Sequence, residues 1–156
     1  MAFEIKTDAF TEDGDIPTQY TCDGRNVSPP LYWSNPPQTT KSFALVVDDP
    51  DAPLGGWIHW VAYGIPMAAR QLEEGIPKSE MLGDNSKQGV TDFHHTGYEG
   101  PCPPPGKPHR YFFKLYALDT LLDLPPKETR AKLLEAMTGH ILAEARLMGR
   151  YQRKKS

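Results

Sequence analysis

Asp48-Asp49-Pro50-Asp51-Ala52-Pro53, His59 and His109-Arg110-Tyr111 hold most of the reactive side chains in this chain. Carboxylates, imidazoles and a phenol can bind an anion, hold a metal or move a proton once a fold gathers them. The acidic stretch reads as a turn, because Pro50 and Pro53 fix φ at their own positions. Ala52–Pro53 is a candidate for a cis bond in such a turn. His59 lies inside an apolar run, where a single histidine is more often a satisfied core residue than a ligand. The third group follows a stiff rim: TGYEGPCPPPGKPHRYFFKLYALD, residues 96–119, runs from glycine and proline into an aromatic strand. Rim and strand mouth together make a small polar pocket suited to holding a ligand. The pair His94-His95 reads as solvated loop, and Trp57, Trp60 and Tyr63 read as core rather than as a platform for bases.

Strands must position these groups. Ser42 to Val47 is β-branched and aromatic and ends in the acidic turn. Trp57 to Ile65 follows a Gly55-Gly56 hinge and is apolar on both faces, as a covered central strand should be. Tyr111 to Leu118 is the third clear strand; Phe3 to Ile5 and Leu31 to Trp33 are shorter candidates. Helix is expected late. Leu124-Pro125-Pro126-Lys127-Glu128 resembles a helix start, and Leu134, Met137, Ile141, Ala145 and Met148 recur at helical spacing, with Gly139 dividing the stripe into two short helices. Strands first and helices last predict a mainly β fold, an antiparallel β-sandwich with short helices near the C-terminus.

Length suits one domain over residues 1–156. Apolar residues make up 38% and charged residues 24%, which argues against a disordered chain. Sixteen prolines and thirteen glycines fall between the apolar runs, as turn makers. A net charge of −3 argues against a sequence-independent nucleic-acid binder. The one basic cluster, Arg150, Arg153, Lys154 and Lys155, reads as a solvated end. No stretch approaches the roughly 18 apolar residues of a membrane span, and the N-terminus lacks an apolar leader. The expectation is a cytoplasmic protein without membrane insertion, with Cys22 and Cys102 as reduced thiols.

YTCDGRNVSPPLYW (20–33), DPDAPLGGWIHW (49–60), GYEGPCPPPGKPHRYFFKLYALD (97–119) and GRYQR (149–153) resemble the phosphatidylethanolamine-binding protein family, and within it the prokaryotic Raf kinase inhibitor-like branch. The resemblance spans nearly the whole chain in the same motif order. It implies a two-sheet β-sandwich of Greek-key type with an anion-binding pocket at one end. Carried over by motif, the ligand-binding residues are Asp49, Asp51 and Pro53, then Trp57 and His59, then His109 and Tyr111, with Pro103 or Pro104 on the rim. Cys102 stands where the animal proteins tend to have glycine. Implied partners are a small anionic or phosphorylated ligand, such as a phosphoethanolamine-like headgroup, and a kinase or serine protease as a protein partner. Prokaryotic relatives also tend to form homodimers.

The residues add a puzzle, because Asp49 and Asp51 should repel the anion that imidazole and phenol attract. Two resolutions stand open. A carboxylate can hold His59 or His109 as imidazolium, or Asp49 can meet the ammonium end of a zwitterion. The competing class is a small hydrolase or metal-dependent enzyme using His59, His109 and Asp49. Against it, G-x-S-x-G, HExxH and paired-cysteine spacings are absent, so no cofactor and no metal are expected.

Overall fold

The apolar run around Phe43 becomes the middle of a sheet. A computed structural model describes residues 2–153. In chain order it has β1 (Glu4–Lys6), a 3-10 turn (Thr18–Tyr20), β2 (Leu31–Ser34), β3 (Ser42–Asp49) and β4 (Trp57–Pro66). There follow β5 (Gln71–Leu72), β6 (Lys87–Gln88), β7 (His109–Leu118), α1 (Arg130–Met137) and β8 (Ile141–Tyr151). A three-stranded sheet runs β1-β2-β5 and a five-stranded sheet runs β6-β4-β3-β7-β8. Neighbouring strands in both are antiparallel. The spatial order β7-β3-β4-β6 is that of a Greek key, closed by the long link 89–108.

Alternation along β3 explains its continuous apolarity. Phe43, Leu45 and Val47 pack between the sheets with Trp33, Trp60, Phe113 and Leu115. Ala44 and Val46 face the other way, meeting Val61, Tyr63 and the Leu133 and Met137 side chains of α1. Each large side chain buried in these layers contributes about 1.5–3 kcal/mol. The helix thus covers the outer face of the sheet, and the sandwich interior stays wholly β.

The C-terminal expectation was half right. One helix forms, capped by Thr129, whose hydroxyl accepts the Lys132 N–H at 3.2 Å. It starts later than the prolines suggested, because Lys127 takes φ +68° and interrupts any helix there. Gly139, at φ +84°, then turns the chain out of α1. The second expected helix is β8. Its residues also obey a period of two: Ala145, Leu147 and Gly149 are buried while Glu144 and Arg146 are exposed. Pairing along the whole of β7, from Tyr151 to Ile141, decides between the two periods. Gly149 is required where it stands, since a Cβ would lie 2.6 Å from Ile16 and 2.7 Å from Phe10.

Three further expectations change. The Ala52–Pro53 bond is trans, as are the other described bonds. Cys22 and Cys102 are joined in a disulfide, with Cα atoms 5.4 Å apart across a separation of 80 residues. In chain-entropy terms a loop of that length is worth about 4.5 kcal/mol. Sequence distance concealed the pair because the Greek-key link folds back onto the segment after the 3-10 turn, where the Cys22 N–H donates to the Pro101 carbonyl at 3.1 Å. The basic tail is also less free than expected. Arg150 belongs to β8, and Arg153 pairs with Asp23 at 3.2 Å. Lys154 and Lys155 lie outside the described residues.

Candidate functional site

β3 ends where β4 and β7 begin, so three strand termini meet at one end of the five-stranded sheet. Asp49 closes β3 opposite Trp57, the first residue of β4. Alternation along β7 puts His109 and Tyr111 on one face. His59 arrives there by a β-bulge. Val47 pairs with Trp60 and Asp48 with Ile58, which leaves His59 as the extra residue. The bulge lets both His59 and Trp60 face inward, an arrangement strict alternation forbids.

These residues line a cavity of about 150 Å³ together with Ala52, Pro53, Phe93, Cys102, Pro103 and Pro104. Of the positions expected from the sequence, Asp49, Pro53, Trp57, His59, Pro103, Pro104, His109 and Tyr111 all reach its wall. Asp51 does not. Its carboxylate accepts the Arg110 backbone N–H at 2.8 Å and the guanidinium at 2.9 and 2.8 Å. Arg110 holds that carboxyl below its usual pKa range, so Asp51 braces the turn against β7.

Asp49 is buried, at 2% exposure, and both of its oxygens are engaged. One accepts the Asp51 N–H at 2.8 Å, and the other takes the Nδ1–H of His109 at 2.6 Å. His59 is tethered elsewhere, with Nδ1 2.6 Å from the Glu99 carbonyl oxygen. A carbonyl only accepts, so Nδ1 carries the proton and a neutral ring presents Nε2 as an acceptor. Burial pushes the His59 pKa down, outweighing the Glu99 carbonyl and the Asp49 charge that would raise it. The expectation that a carboxylate keeps this ring charged therefore fails for His59. For His109 the carboxylate contact is present, and since a carboxylate only accepts, Nδ1 carries the proton.

Aromatic edges set the shape. The His59 ring meets Tyr111 and Phe93 edge-on, each at 5.2 Å, and Phe93 meets Trp57 at 5.6 Å. Phe93 escaped the sequence reading because nothing marks one aromatic within a polar loop. The hydroxyl of Tyr111 and the indole N–H of Trp57 are buried without a hydrogen-bond partner among the described residues. Burial, then the charge of the Asp49 carboxylate, which lies near the hydroxyl but beyond normal hydrogen-bond geometry, pushes the Tyr111 phenol far above its usual range, so it stays a donor. His94 and His95 are exposed, as expected of loop residues. A larger groove of about 460 Å³ shares Asp49 and Trp57 with the cavity and reaches His94 and Arg130. Asp92 there takes the Ile58 N–H, and Asp48 pairs with Lys114 through one oxygen while its other oxygen is buried without a partner among the described residues.

Residues 6–152 match the family model described as phosphatidylethanolamine-binding protein. The chain belongs to that family. A UPF0098 protein of Methanothermobacter thermautotrophicus is 54% identical over 149 residues, covering 96% of this chain and 98% of that one. Among solved structures, Escherichia coli YbcL, described as a new member of the mammalian PEBP family, superposes with a TM-score of 0.92. It is 33% identical, with 99% and 100% of the two chains covered. A putative phosphatidylethanolamine-binding protein homologue from Chlamydia trachomatis, CT736, gives 0.89 at 40% identity over 98% and 99%. Family membership supports a ligand-binding protein of this type and agrees with the two antiparallel sheets. Among the described residues no helix is long and apolar enough to cross a membrane.

Proposed function

We propose that the cavity at the β3, β4 and β7 termini binds a small anion, of which a phosphate monoester headgroup is the fitting class. The observation that carries this reading is the Tyr111 hydroxyl, buried at the cavity wall and without a partner. Leaving such a group unpaired costs about 1–3 kcal/mol, and an acceptor oxygen from a ligand removes that cost. Trp57 adds a second unpaired donor. His109 donates from Nδ1 to Asp49, which leaves Nε2, when it carries a proton, to donate to the anion. Asp49 then orients that imidazole. With both its oxygens already accepting, it is a poorer seat for a ligand ammonium than a free carboxylate.

The test is a titration with inorganic phosphate, phosphoethanolamine and acetate, followed through the imidazole resonances of His59 and His109. Saturable shifts of His109 with both phosphates support the reading; no response to any of the three ends it. A kinase or serine protease as protein partner and a homodimer rest on the family likeness alone, and a cytoplasmic location on the sequence expectation alone.

The Asp49–His109 pair also favours a second reading. A carboxylate that fixes Nδ1–H leaves Nε2 of the neutral ring as an oriented base, as hydrolysis requires. Among the described residues no serine or threonine lines the cavity, and the one sulfur there belongs to the disulfide. Turnover of p-nitrophenyl phosphate that disappears in His109→Ala would establish hydrolysis; a rate equal to the variant's would leave binding.

A further inference from the structure

One cavity wall is Cys102, and the disulfide it forms is open to solvent. Cys22 and Cys102 are both exposed. The bridge ties the proline rim to the segment after the 3-10 turn, beside the Cys22-to-Pro101 hydrogen bond and a 2.8 Å bond from the Gly100 N–H to Asn26. The two sulfurs differ in surroundings. Arg153 places Nη1 3.9 Å from the Cys102 sulfur while pairing with Asp23 at 3.2 Å. A guanidinium beside a sulfur stabilises it as a thiolate, and a stabilised thiolate leaves faster in exchange.

We propose that Cys22–Cys102 is a thiol-exchange site: a low-molecular-weight thiol attacks Cys22, Cys102 leaves as thiolate under Arg153, and the cavity loses its clasp and its affinity for anions. The electrons balance in two steps. An incoming thiolate forms a bond to the Cys22 sulfur as the bond to Cys102 breaks, and Cys102 carries the electron pair. A second thiolate then attacks the mixed disulfide, releasing the Cys22 thiolate and the small-molecule disulfide. Reduction frees the rim at Cys102, and it sets a negative charge on the wall that also holds His109 and Tyr111. Both changes oppose an anion. The affinity part of this proposal rests on the binding reading above; the exchange part does not.

The experiment starts from the oxidised full chain, treated briefly with 2-mercaptoethanol, quenched with N-ethylmaleimide and mapped by peptide mass. The adduct of 2-mercaptoethanol should sit mainly on Cys22 and the maleimide on Cys102. Arg153→Gln should slow the opening about threefold, because the departing Cys102 thiolate loses the guanidinium beside it. Without any ligand, the His109 and Tyr111 resonances should move when the bridge opens under conditions where circular dichroism shows a folded chain. Inorganic phosphate should bind the reduced protein about tenfold more weakly. Cys22→Ser, which keeps the Cys102 thiol, and the double variant Cys22→Ser/Cys102→Ser separate added charge from the lost clasp; weakening in either supports the proposal. Adducts spread evenly over both cysteines, or cavity resonances unmoved on reduction, overturn it. Absence of phosphate binding in the oxidised protein counts against the binding reading instead, and leaves the adduct map and the ligand-free resonances to judge the exchange.

Discussion

Asp49 holds His109 through a 2.6 Å contact to Nδ1, while the Asp51 N–H occupies the other carboxylate oxygen at 2.8 Å. Each carboxylate oxygen thus already accepts one bond from the protein. Asp49→Asn should weaken phosphate and phosphoethanolamine equally, each about tenfold, because a neutral amide holds the His109 Nδ1–H less firmly than a carboxylate does. Parallel titrations of both ligands check this; a loss confined to phosphoethanolamine would restore Asp49 as an ammonium seat.

Tyr111→Phe should separate stability from binding. Removing an unpaired buried hydroxyl should leave the unliganded protein as stable or up to about 1–3 kcal/mol more stable. Phosphate affinity should nevertheless fall. Urea melts and phosphate titrations of the same variant read the two effects. A variant that loses stability and keeps its affinity would mean that the hydroxyl serves the fold.

His59 gives a pH dependence with a definite sign. Its folded pKa lies below the unfolded value of about 6.5, because burial opposes the charged ring. Between the two values the unfolded chain binds more protons, so stability is complete above the unfolded pKa and declines as pH falls toward the folded one. His59→Leu should remove that part of the decline. The check is the urea midpoint of both proteins measured from about pH 7.5 down to 5; identical slopes would mean that the ring titrates as freely folded as unfolded.

Leu133 is fully buried where α1 meets the outer face of the sheet. Leu133→Ala should cost about 2–5 kcal/mol through lost contact and residual cavity, with phosphate affinity unchanged in the fraction that remains folded. Calorimetry below the lowered melting temperature tests this. A matching loss of affinity would show that the helix supports the cavity across the sheet.

The sequence revealed the strands that carry the site far better than the chain's last quarter. Ser42–Val47 and Tyr111–Leu118 are rich in β-formers on both faces, so composition and burial agreed. The run from Leu134 to Met148 satisfies two periods at once, and only pairing with β7 selects the strand. Most cavity residues were legible through motifs, since strand ends and prolines hold them locally. Asp51 was misplaced because nothing local shows that Arg110, across the gap between strands, claims its carboxylate. Phe93 and the disulfide were hidden for the same reason: both depend on where the long link 89–108 lands.

The bulge at His59 also makes part of the site separable from the architecture. Because residue 59 is the surplus one between the Val47–Trp60 and Asp48–Ile58 pairs, a chain shortened by that residue would keep its neighbours on their present faces. The loss would be confined to the imidazole and its two hydrogen bonds with Glu99. An unaltered near-ultraviolet spectrum in such a deletion would confirm that the imidazole is an insertion into a ladder complete without it, and a collapsed one would show that the sheet needs its kink. In evolutionary terms, one codon gained or lost would suffice to add this wall to the cavity or erase it while the sandwich persists.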